Sequence, residues 1–76
     1  MAARAYILIE TQVGKTRDVA AALRSTEGVP TVDIITGEFD IIALIEAQDM
    51  VGIADLVTGQ VQSISGVSRT ITCVAA

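Results

Sequence analysis

The chain has 76 residues, 51% of them apolar, with five Lys and Arg against nine Asp and Glu, a net charge of −4, no His and one Cys. That length provides for one small domain, and so acidic a chain has little to neutralise a phosphate backbone, so direct nucleic-acid binding is not expected. No apolar run approaches the 18 or so residues of a membrane-spanning helix, and one Cys without His completes neither a zinc site nor a disulfide framework.

The N-terminus, Met1-Ala2-Ala3-Arg4-Ala5-Tyr6, leads directly into a strand and lacks the apolar core and cleavage site of an export signal, so a cytoplasmic setting is expected. Strand 1 is read from Arg4 to Thr11, where Tyr6-Ile7-Leu8-Ile9 is rich in β-formers. A helix follows from Lys15 to Ser25, with Val19, Ala22 and Leu23 forming its apolar stripe. Gly28 suits a left-handed residue past the helix end, and Pro30 discourages any resumption of helix.

Strand 2 is predicted from Val29 to Thr36 and strand 3 from Asp40 to Ala47, joined by the turn Thr36-Gly37-Glu38-Phe39-Asp40. This turn concentrates two carboxylates and an aromatic ring in five residues, which makes it the first place to look for a ligand. Asp49 can cap a second helix, whose Ile53, Leu56, Val57, Val61 and Ile64 recur at helical spacing over about four turns until Gly66. Strand 4, Val67 to Val74, carries Ser68, Thr70 and Thr72 on alternate positions, and Cys73 within it reads as a small buried hydrophobe.

The order β-α-β-β-α-β carries a trace of duplication, since Ser65-Gly66-Val67 repeats Glu27-Gly28-Val29, and Ile7 and Val19 recur as Ile45 and Val57. Two such halves make an α+β, ferredoxin-like fold: a four-stranded antiparallel sheet with both helices on one face. In strand 3, Ile41, Ala43 and Ile45 point one way and Ile42 and Leu44 the other, and in strand 1 Ile7 and Ile9 oppose Tyr6 and Leu8, so both faces of the sheet are apolar. Two helices cover only one of these apolar faces, so a homodimer packed sheet on sheet is expected.

For chemistry the sequence is sparse. Glu38 and Asp40 have no His, Lys or nucleophile beside them in the turn, so acid–base catalysis is not expected, and no phosphate-cradling glycine motif is present. Neither a cofactor nor a metal is expected. Small oxygenases and isomerases share this fold, but they depend on a polar interior for which the aliphatic pattern makes no provision.

The Gly37-Glu38-Phe39-Asp40 turn, the aliphatic strand after it, Asp49-Met50 opening a helix, and Ser65-Gly66-Val67 leading to Thr70-Ile71-Thr72 together resemble the effector-binding (RAM) domain of the Lrp/AsnC transcription regulators. The resemblance covers nearly the whole chain. It implies a dimer that assembles into octamers or larger rings and binds a small amino acid between dimers, at Gly37, Glu38, Phe39 and Asp40 together with Thr70 and Thr72. A turn whose N–H groups receive the ligand carboxylate while Asp40 faces its ammonium is a chemically sensible amino-acid receptor. Such regulators carry a helix-turn-helix domain ahead of this one. Here strand 1 starts within a few residues of Met1, Ser65 stands where Pro is common, and the sequence ends at Ala76. The expectation is a stand-alone domain, residues 1–76, able to modulate a full-length regulator by co-assembly. The alternatives are a purely structural oligomerisation partner and an ACT-like regulatory domain, whose site would centre on the loop at Gly14.

Overall fold

The computed structural model describes residues 2–76. Its elements are β1 (Ala3–Thr11), α1 (Thr16–Arg24), β2 (Thr31–Ile34), β3 (Ile41–Ala47), α2 (Met50–Leu56), a π-helical continuation at Val57–Val61, and β4 (Val67–Val74). The strands form one antiparallel sheet in the order β2-β3-β1-β4. This is the ferredoxin-like α+β arrangement, with its two halves interleaved so that β1 and β3 lie at the centre.

Burial shows which face the helices occupy. Ala5, Ile7 and Ile9 of β1 and Ile41, Ala43 and Ile45 of β3 are shielded from solvent, in one cluster with Val19, Ala20 and Leu23 of α1 and Ile53, Val57 and Val61 beyond it. Fully burying an aliphatic side chain of this size contributes about 1.5–3 kcal/mol relative to exposure, so this layer is the main source of stability. The duplicated positions are equivalent in three dimensions. Ile7 and Ile45 occupy the sheet centre, Val19 and Val57 the helices above it, and Gly28 and Gly66 both turn the chain with positive φ (+90° and +100°). At Gly28 a side chain would also collide with Leu56, since a Cβ there would lie 2.6 Å from the Leu56 Cδ1.

Two elements differ from the sequence reading by more than one residue. β2 keeps only four residues because Pro30 brings no N–H to the ladder, and past Ile34 the chain bends away, with the Ile35 N–H donating to the Asp40 carbonyl at 2.9 Å to close the turn. The second helix is α-helical only to Leu56. It then widens, the Gln62 N–H reaching the Val57 carbonyl five residues back at 2.8 Å. Gly59 weakens the regular helix there, and the Thr58 hydroxyl donates to the Ala54 carbonyl at 2.9 Å, a back-bond that bends helices. Widening still leaves Val57 and Val61 on the core side. Asp49 caps α2 as expected, accepting from the Gly52 N–H at 2.8 Å.

Cys73, read as buried, is exposed. It stands opposite Tyr6 on the sheet face that the helices leave open, where alternation along an edge strand puts it regardless of its polarity. Among the described residues no helix is long and apolar enough to cross a membrane.

Candidate ligand-binding site

The β2–β3 turn projects from the end of the sheet. Thr36, Gly37 and Glu38 are exposed while Phe39 and Asp40 are half-buried. Gly37 adopts φ +133°, a conformation that side chains rarely tolerate, with open space around its α-carbon. The backbone N–H groups of Gly37, Glu38 and Phe39 have no acceptor among the described residues. A run of free N–H groups in a turn is a ready receptor for an anion.

Asp40 is committed to the fold. Its Oδ2 accepts the Thr11 N–H at 2.8 Å and the Thr11 hydroxyl at 3.2 Å, and its own N–H donates to the Ile9 carbonyl at 2.9 Å. With the Thr11 proton given to Asp40, the 2.7 Å contact between the two threonine hydroxyls has Thr16 as donor. Asp40 thus pins the turn to the end of β1 and, through Thr11, to the start of α1. That leaves Glu38 as the turn carboxylate with no hydrogen-bond partner among the described residues.

Phe39 has a neighbour that the sequence reading missed. The Arg69 guanidinium lies over the Phe39 ring, its Cζ 5.0 Å from the centroid, while Arg69 Nε is 3.9 Å from Glu10 Oε1. β4 delivers Arg69 to this place because it pairs with β1 in the register Arg69↔Glu10, immediately before an irregularity between Glu10 and Thr11. Its position beside Thr70 was a signal in the sequence. The register that brings it across β1 to Phe39 was not.

Thr70 and Thr72 lie elsewhere. They pair with Ile9 and Ile7, whose side chains are buried beneath the helices, so both threonines belong to the helix-bearing face of the edge strand. Gln62 Nε2 donates to Thr70 Oγ1 at 3.0 Å. Thr72 borders an open, apolar cleft of about 260 Å³ between β4 and the second helix, with Met50, Ile53, Val57 and Val74 among its walls. The six residues expected to bind a ligand therefore form two groups. The turn is on one side of β1, Thr70 and Thr72 on the other, and two strand spacings plus two or more residues of rise separate Asp40 from Thr72 by about 12 Å.

The sheet face opposite the helices carries two apolar rows. Leu44, Tyr6 and Cys73 stand side by side across β3, β1 and β4, as do Ile42, Leu8 and Ile71. Tyr6 is 41% and Ile71 39% exposed, so this face presents adjoining apolar side chains to solvent. Charged pairs flank the rows, Arg4 opposite Glu46 at one end and Glu10 opposite Arg69 at the other.

With this geometry in view, similarity to known proteins is informative. A family model for the Lrp/AsnC ligand binding domain matches residues 4–76. The crystal structure of TTHA0845 from Thermus thermophilus superimposes with a TM-score of 0.92 at 30% identity, over 97% of this chain and 92% of that one. E. coli AsnC has the same fold (TM-score 0.90, 18% identity, 96% of this chain and 50% of AsnC). So does the transcriptional regulator NMB0573 of Neisseria meningitidis, solved as a complex with L-Met (TM-score 0.87, 22% identity, 97% of this chain and 49% of that one). The chain thus spans about half the length of these two regulators. Comparison with curated proteins gives no match. The chain belongs to the family of Lrp/AsnC ligand-binding domains.

Proposed function

We propose that this domain binds a small amino acid at contacts between its copies, and that occupancy controls an assembly acting on transcription indirectly, in the cytoplasm, through co-assembly with a DNA-binding regulator of the same family. The observation that carries this reading is the division of the site. The turn offers free N–H donors and a free Glu38 carboxylate, complementary to the two ends of a zwitterion, while the hydroxyls of Thr70 and Thr72 lie across β1. A ligand of amino-acid size does not span about 12 Å within one chain. A site using both groups draws the turn from one copy and β4 from another, which makes ligand binding and assembly one event. Kinship with a regulator solved with L-Met supports the ligand class.

A mixing experiment tests the division. Glu38→Gln disables the turn and Thr72→Val, nearly isosteric, removes a hydroxyl, so neither pure variant is expected to retain a labelled amino acid in equilibrium dialysis. After co-refolding at equal amounts, random assembly gives about a quarter of the sites both intact halves, because symmetric contacts pair the turn of one chain with the strand of the next. Binding restored to that level supports the reading. No restoration, from variants that co-assemble, places both halves in one chain and contradicts it.

The open apolar face favours a second reading, an oligomerisation partner with no ligand. It requires the same dimer and differs in showing no response to any amino acid.

A further inference from the structure

We infer that Arg69 is the charged anchor for the carboxylate of the bound amino acid, an inference that rests on the amino-acid reading above. The turn lies in an acidic neighbourhood, with Glu10, Glu38 and Asp40 around it in a chain of net charge −4. Neutral N–H donors alone would receive a carboxylate against that field. Arg69 is a cation that the sheet register brings to this place. Its guanidinium lies over the Phe39 ring, 5.0 Å from the centroid, and its Nε is 3.9 Å from Glu10 Oε1. An exposed pair at that separation holds little energy and no short hydrogen bond, so Glu10 does not saturate Arg69. The two terminal nitrogens of Arg69 donate to no acceptor among the described residues. They form the planar fork that matches a carboxylate.

A carboxylate offers about four acceptor positions, enough for the guanidinium and the turn N–H groups together. Phe39 then has a defined part as the surface that holds the guanidinium at the turn. Glu38, the unpaired acid beside it, faces the ammonium.

The test compares each of the twenty L-amino acids with its α-carboxamide, which keeps the side chain and the ammonium and loses only the carboxylate charge. Binding is measured on wild type and on Arg69→Met. Wild type is expected to prefer the acid that binds it over the matching amide by at least about tenfold, and Arg69→Met to bind the two alike, with Arg69→Lys between them because it keeps the charge and loses the fork. Equal preference in wild type and Arg69→Met overturns the assignment while leaving the amino-acid reading intact. If Arg69→Met changes only the oligomeric state, Arg69 is an interface residue and the inference fails. If folded wild type binds no amino acid, the reading beneath it fails as well.

Discussion

Leu8→Asp is expected to turn a stable dimer into a folded monomer. Leu8 occupies the middle of the inner apolar row, between Ile42 and Ile71, on the face that the helices leave bare. In one chain this position borders solvent, so an Asp there costs the monomer no more than about 1 kcal/mol of strand preference. In a sheet-on-sheet dimer the substitution enters the interface twice. It removes two leucines, each contributing about 1.5–3 kcal/mol, and buries two like charges near a two-fold axis. Dimer affinity should fall by at least about 100-fold, or about 2.7 kcal/mol. Sedimentation equilibrium beside circular dichroism reads both quantities. Unaltered association of Leu8→Asp would show that copies meet through another surface, the cleft at the β4 edge being the next candidate.

Asp40 and Glu38, two residues apart, should give opposite results. Asp40→Ala removes an acceptor that takes both the N–H and the hydroxyl of Thr11, and leaves that half-buried N–H without a partner. Hydrogen bonds to a charged group contribute about 1.5–3 kcal/mol each, so losing both is expected to cost at least about 3 kcal/mol, a large share of the stability of a small domain. Urea unfolding of the two variants makes the comparison. Glu38→Gln should unfold at the wild-type midpoint, because Glu38 is exposed and bonds to nothing among the described residues, yet it should lose affinity for the amino acid. Lost ligand affinity in Asp40→Ala would by itself say little about direct contact, since its turn is no longer anchored. An Asp40→Ala protein as stable as wild type would contradict the structural part given to this carboxylate.

The fold was legible because its information is local. Tyr6-Ile7-Leu8-Ile9 and Ile41 to Ile45 announce strands by alternation, Val19 and Leu23 a helix face, and Gly28 and Gly66 the turns that lead into β2 and β4. The short β2 and the widened second helix were not legible, because they depend on where a ladder loses its donors and on how the Thr58 back-bond and Gly59 act together. Of the candidate site, only the turn could be read from the sequence, for a related reason. The turn is contiguous in sequence and chemically unusual, so it stands out. Its relation to Thr70 and Thr72 is fixed by strand order, which puts β1 between them, and the meeting of Arg69 with Phe39 depends on the β1–β4 register. Pairings of this kind cross the sheet, and no periodicity within a strand encodes them. Asp40 shows the same limit from the other side: a carboxylate in a turn suggests a ligand contact until the position of Thr11 is known.

Thermal unfolding at a fixed chain concentration against each of the twenty amino acids tests the ligand-binding claim most directly. A ligand at 100 times its dissociation constant adds about 2.7 kcal/mol to a site present only in the folded state, which for a domain of this size raises the midpoint by at least about 10 °C. The account predicts such a shift for one amino acid or a small, chemically related group, diminished in Glu38→Gln. A folded, oligomeric protein whose midpoint no amino acid moves would contradict it, and would leave a domain that serves assembly alone.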